Sequence, residues 1–209
     1  MTAQTIDQIM RMVPVIPVLV MDGPLDPCAL AETLVEAGLP VIEVTLRTPN
    51  ALDAIRAMSA VPGAVVGAGT VLNREMLNDA IAAGSQFIVS PGLTDALGKA
   101  AIASGVPYLP GVANAGDIMR GLDLGLNRFK FFPAEAAGGL PALKSLASVF
   151  GQARFCPTGG ITEASALQWL GHPSVLCVGG SWLVPSGEAS LDAVASRARA
   201  AAAFHASKP

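Results

Sequence analysis

Lys130 stands inside "RFKFF" (128–132), between phenylalanines and just ahead of Pro133, in a chain whose charged residues are only 14% of the total. The other lysines have ordinary settings. Lys99 and Lys144 fall in helix-like stretches, "DALGKAAIA" and "ALKSLAS", where a solvated face is expected, and Lys208 lies close to the C-terminus. Lys130 either snorkels to water or is held for chemistry. A buried ammonium without a partner loses solvation and gives up its proton more readily. The amine so exposed attacks ketones and forms an imine.

Strand residues two apart face the same side. In "PVIEVTL" (40–46) and the residue after it, Glu43, Thr45 and Arg47 therefore share one face, and Val44 and Leu46 the other. Glu43 and Arg47 are either a structural ion pair or a catalytic base below a carboxylate-binding guanidinium, whose fork matches a planar carboxylate. The same alternation sets Arg128, Lys130 and Phe132 on one side of their own strand. Two glycine pairs follow later runs: "PTGGIT" (157–162), with Thr162 a candidate helix cap and Glu163 in the first turn, and "VGGSWL" (178–183). Glycine pairs let backbone N–H groups approach an anion closely, so Gly159, Gly160, Gly180 and Ser181 are read as a phosphate site. His172 and His205 are the only histidines and lie away from the strand ends. No metal is expected, because catalytic metals need several converging ligands. No dinucleotide fingerprint follows the first apolar run.

These residues need a frame. Apolar, β-branched runs recur at 13–20, 40–46, 64–71, 86–92, 107–112, 128–134, 153–160 and 175–183, with starts roughly 20–27 residues apart, room for a strand, a helix and two short loops. Between them, "DPCALAETLVEAG" (26–38) and "NREMLNDAIAAG" (73–84) carry helical spacing and end in glycine. Eight such units predict an α/β fold, a single (β/α)₈ TIM barrel spanning 1–209. A doubly wound open sheet is the rival. In such barrels the site lies at the C-terminal ends of the strands. The polar and glycine-rich groups above, with "GAGT" and "SPG", fall there.

Composition narrows the partners. Net charge is −3 with scattered Lys and Arg, so no nucleic acid is expected. The longest apolar run, "VPVIPVLVM" (13–21), is too short and proline-rich to span a bilayer. The first residues lack a signal-peptide pattern, and no membrane attachment is expected. Cys28, Cys156 and Cys177 have no paired spacing and read as thiols of a reducing, cytoplasmic setting. The low charge content hints at surface hidden in an oligomer.

Taken in order, "EVTLRT" (43–48), "VGAGTV" (66–71), "SPGLT" (90–94), "FKFFPAE" (129–135), "RFCPTGG" (154–160) and "GGSWLVP" (179–185) resemble the bacterial 2-keto-3-deoxy-6-phosphogluconate (KDPG) aldolases, which often also act on 4-hydroxy-2-oxoglutarate. The resemblance implies a cytoplasmic, metal-free class I aldolase of the Entner–Doudoroff pathway, a homotrimer of small barrels without a cofactor. It implies that Lys130 forms the Schiff base and Glu43 is the general acid and base. Arg47 and Thr70 would hold the pyruvate-derived carboxylate, with Pro91 and Phe132 lining the pocket. Gly159, Gly160, Gly180 and Ser181 would hold phosphate. Thr158 takes the position tied to the configuration of the substrate hydroxyl, and threonine there favours the gluconate substrate. The implied ligands are KDPG, pyruvate and glyceraldehyde 3-phosphate. One departure is "PGVANAGD", where relatives more often carry Ser or Thr near Asn114. A phosphosugar isomerase or epimerase with Glu43 as base would leave Lys130 unexplained. A non-catalytic phosphosugar-binding barrel would bind without turnover.

Overall fold

Each apolar run nucleates a strand because its side chains are buried whichever way they point, the pattern of parallel strands covered on both faces. The computed structural model describes residues 4–204, so His205 and Lys208 lie outside it. The strands are β1 (Val15–Leu19), β2 (Val41–Thr45), β3 (Val65–Gly69), β4 (Phe87–Val89), β5 (Tyr108–Leu109), β6 (Gly111–Val112), β7 (Arg128–Phe131), β8 (Arg154–Pro157) and β9 (Val178–Gly180). The run at 107–112 yields two strands rather than one because Pro110 has no N–H to give to a ladder.

All paired strands are parallel, and the sheet forms a half-barrel. Six run in the order β5-β4-β3-β2-β1-β9, and three in the order β6-β7-β8. The chain passes from one sheet to the other through Pro110. On the far side, isolated parallel bridges Phe155–Val175 and Thr158–Gly179 link the two.

The helices are α1 (Ile6–Met12), α2 (Pro27–Glu36), α3 (Ala51–Ser59), α4 (Arg74–Ala82), α5 (Asp95–Ser104), α6 (Ala115–Asp123), α7 (Gly139–Val149), α8 (Glu163–Leu170) and α9 (Leu191–Ala202). Apart from α1, each follows a strand. Side chains of Asp26, Asn73, Thr94, Asn114, Thr162 and Ser190 accept from the first-turn N–H groups of their helices. Such caps fix where the chain turns into these six helices; α3 and α7 begin without one. Asn114 thus has a structural task, accepting from Asp117 N at 3.1 Å. No described helix is long and apolar enough to cross a membrane.

Strand interiors and inner helix faces merge in one hydrophobic cluster that includes Leu34, Ile55, Phe87, Phe129, Phe155 and Trp169. Phe129 and Phe155, partners across β7 and β8, have ring centroids 6.1 Å apart. Against this apolar background the few buried polar side chains stand out: Glu43, Thr45, Ser85, Ser90, Lys130 and Thr158.

Candidate active site

Lys130 lies within β7 with its backbone N–H bonded to Pro110 O at 2.8 Å, and its side chain is 5% exposed. It is not unpaired, as the sequence had implied. Nζ donates to both carboxylate oxygens of Glu43, at 2.8 Å to Oε1 and 3.2 Å to Oε2. Glu43 sits in β2 and is equally enclosed, with a side chain 4% exposed. Burying two charges costs solvation that their mutual attraction and hydrogen bonds must offset. Apolar packing alone would not place them here.

Room for the carboxylate comes from a missing side chain. A Cβ at Gly69, the register partner of Thr45, would lie 2.8 Å from Glu43 Cδ and Cγ. Gly69 was legible only as part of "GAGT"; its need to be small follows from the strand register. Thr45 turns its hydroxyl to Leu19 O at 2.7 Å, which secures β2 beside β1.

Of the two readings of Glu43 and Arg47, the structural ion pair does not form. β2 ends at Thr45, and Arg47 has entered a turn, where its N–H donates to Thr45 O. Its Nε donates instead to Thr70 Oγ1 at 3.2 Å. Thr70 holds φ at +59°, a left-handed conformation that costs a β-branched residue about 1–3 kcal/mol. Arg128, read from the sequence as sharing a face with Lys130, is the first residue of β7 and bonds Asp7 of α1 at 2.5 Å. Burial opposes ionisation of Asp7, but its bonds to Arg11 and Arg128 outweigh this and leave its carboxyl below the usual range.

The Phe132 ring centroid lies 5.5 Å from Lys130 Nζ, a cation–π distance. Thr158 is buried at the end of β8, and Gly179 beside it cannot carry a Cβ without striking its side chain. Pro91 packs on Gly111, where a Cβ would meet Pro91 and lie 2.6 Å from Gly92 N. The loop is held from below, because Ser90 Oγ donates to Gly92 O at 2.6 Å and contacts Tyr108 Oη at 2.6 Å. With the serine proton committed to Gly92, Tyr108 is the donor. Burial pushes the Tyr108 phenol up to about 12.

Arg47, Gly160 and Ser181 converge on a cleft of about 510 Å³, together with Thr162 and Trp182. Gly159 and Gly160 adopt φ of +102° and +79°, conformations open to glycine. Gly180 is buried, and a Cβ there would collide with the Trp182 ring. A larger cleft, about 680 Å³ between α4 and α5, contains none of these residues. Among the described residues, no group of three or more His, Cys, Asp or Glu is placed to hold a metal.

An enclosed lysine–glutamate pair, in a fold with a cleft lined by Arg47, Gly160 and Ser181, can form an imine with a keto acid and move protons beside it. Residues 6–196 match the family of KDPG and KHG aldolases. The chain belongs to that family. It is 62% identical to the 2-dehydro-3-deoxy-phosphogluconate aldolase of Zymomonas mobilis over 199 residues, covering 95% of this chain and 96% of the relative. The crystal structure of the Zymomonas mobilis ZM4 2-keto-3-deoxy-6-phosphogluconate aldolase with 3-phosphoglycerate superimposes with a TM-score of 0.94 at 61% identity, covering 97% of both chains. A Legionella pneumophila KDPG aldolase, with pyruvate captured at low pH as a covalent carbinolamine intermediate, superimposes with a TM-score of 0.90 at 42% identity, covering 95% of this chain and 98% of the other.

Proposed function

We propose that this protein is a class I aldolase that cleaves KDPG to pyruvate and glyceraldehyde 3-phosphate, and also cleaves 4-hydroxy-2-oxoglutarate to pyruvate and glyoxylate. The observation that carries it is the 2.8 Å contact between buried Lys130 Nζ and Glu43 Oε1. Proton transfer along that bond gives an amine and a carboxylic acid, replacing two buried charges with none. The free amine attacks the substrate ketone to give a carbinolamine. Glu43 gives its proton to the departing hydroxyl, so that loss of water leaves a protonated imine and the Glu43 carboxylate.

The imine nitrogen accepts the electron pair released when the bond between the third and fourth carbons breaks. Glu43, as carboxylate, takes the proton from the hydroxyl on the fourth carbon, directly or through one water. Glyceraldehyde 3-phosphate departs. The enamine is protonated at its terminal carbon and hydrolysis releases pyruvate and Lys130. Because the imine supplies the electron sink, neither metal nor cofactor is required. Arg47 and Thr70 hold the carboxylate end, with Pro91, Phe132 and Thr158 around the reacting carbons. Gly159, Gly160, Gly180 and Ser181 receive the phosphate. Clamps at both ends set the scissile bond over the lysine, so remote binding energy orients the reaction.

The frame for this chemistry is one domain, a closed (β/α)₈ barrel. The passage through Pro110 and the two isolated bridges at β8 and β9 support closure. The working form is a cytoplasmic homotrimer. Pyruvate release from KDPG, followed with lactate dehydrogenase, tests the activity. Turnover in the wild-type protein and none in Lys130→Ala is expected. Equal turnover in both would overturn the proposal.

A further inference from the structure

Glu135 has no part in the chemistry above, yet it makes three separate contacts behind the Gly159–Gly160 turn. Its backbone N–H donates to Gly159 O at 3.1 Å, as Ala134 N–H does to Thr158 O at 2.8 Å. Its side chain fills the space a side chain at Gly160 would need: a Cβ there would stand 2.7 Å from Glu135 Cγ and 2.8 Å from its Cβ. Its Oε1 accepts a hydrogen bond from Trp169 Nε1 at 3.1 Å.

Trp169 is a firm anchor. It is 2% exposed, sits in α8, and its ring centroid lies 6.3 Å from that of Phe131 in β7. α8 begins at the Thr162 cap, directly after Ile161 and the glycine pair. Glu135 therefore ties the turn to the helix that follows it and to the strand carrying Lys130. Two consecutive glycines with positive φ have wide conformational freedom. Their N–H groups form a preorganised anion site only if something outside the turn fixes them. A carboxylate in direct contact with a phosphate would repel it, so Glu135 acts through its grip on the turn rather than by touching ligand.

We propose that Glu135 is a positioning residue that holds the Gly159–Gly160 turn in its phosphate-receiving shape, with Trp169 as the anchor. This rests on the phosphate site proposed above. The test measures calorimetric affinity for 3-phosphoglycerate alongside borohydride trapping of pyruvate in the wild-type protein, Glu135→Ala, Glu135→Gln and Trp169→Phe. Glu135→Ala should weaken the phosphorylated ligand about tenfold, short of the roughly 10²-fold cost of a full ångström of misplacement, while pyruvate is still trapped. Glu135→Gln keeps an oxygen for Trp169 and should restore most of the affinity. Trp169→Phe, which deletes the donor but keeps a ring, should weaken it severalfold. Unchanged affinity in Glu135→Ala or Trp169→Phe, or an equal loss in Glu135→Gln and Glu135→Ala, would overturn the role of Glu135. A wild-type protein that binds no 3-phosphoglycerate would instead overturn the phosphate site itself.

Discussion

Lys130 and Glu43 are useful because each is uncomfortable without the other. A side chain 5% exposed cannot hold an ammonium among phenylalanines unless an acceptor is at hand, and Glu43 Oε1 is 2.8 Å away. Glu43→Gln removes the charge and the base but leaves the amine, so pyruvate should still be trapped while KDPG cleavage slows by roughly 10²–10⁴. Single-turnover kinetics separate the two steps. Gly69→Ala reaches the same pair from the neighbouring strand. The added Cβ would lie 2.8 Å from Glu43 Cδ, which must move. The expected result is a fall in kcat of about 10²-fold and a loss of about 1–3 kcal/mol in stability from overpacking, read by steady-state kinetics and urea unfolding. Lys130 and Glu43 were both legible as polar residues at inward positions of apolar strands. Their pairing was not, because it joins positions 87 apart in sequence and depends on how β2 and β7 come together in space. The Glu43–Arg47 alternative failed because β2 stops at Thr45, and alternation has no meaning beyond the last ladder bond.

At the level of elements, strand and cap signals do most of the positioning. The eight apolar runs each produced strand, since burial on both faces writes itself as continuous hydrophobicity. Their ends were overestimated, because the runs were carried on into the polar and glycine-rich residues that follow the strands, such as "SPG" after β4 and "TGG" after β8. The split at Pro110 was readable from proline chemistry, and the short α1, preceding the first strand, carried a signal that the search for strand–helix units passed over: Thr5 and Gln8 form a capping box, and Ile6, Ile9 and Met10 have helical spacing. Thr162 caps α8 in a box with Ser165, the two side chains serving each other's backbone N–H groups. Thr162→Ala should cost about 1 kcal/mol, a fall in Tm of about 2–4 °C for a domain of this size, read by calorimetry. The β4–β5 contact makes a pH prediction. Tyr108 is the chain's single tyrosine and its phenol is pushed up to about 12. Above pH 10 the unfolded chain loses that proton while the folded one keeps it, so stability falls as pH rises towards about 12, by roughly 2–3 kcal/mol. Phenolate absorbance should show one transition near 12 in folded protein and one near 10 in urea.

For the whole molecule, the low charge content leaves apolar side chains outside. Leu72, Ile102 and Met119 are 55%, 45% and 57% exposed. A trimer hiding part of this surface should elute and scatter light at three times the mass of one chain; a monomer at micromolar concentration would contradict the proposed assembly. The rest of the fold brings one amine and one carboxylate together out of water, and the proposed function adds clamps for carboxylate and phosphate. The most direct measurement is to incubate the protein with pyruvate, reduce with borohydride, and map the added mass by peptide mass spectrometry. Pyruvate attached to Lys130 alone, and absent from Lys130→Ala, is the expected result. No covalent gain, or gain spread over Lys99 and Lys144, would contradict the imine chemistry on which the proposed function rests.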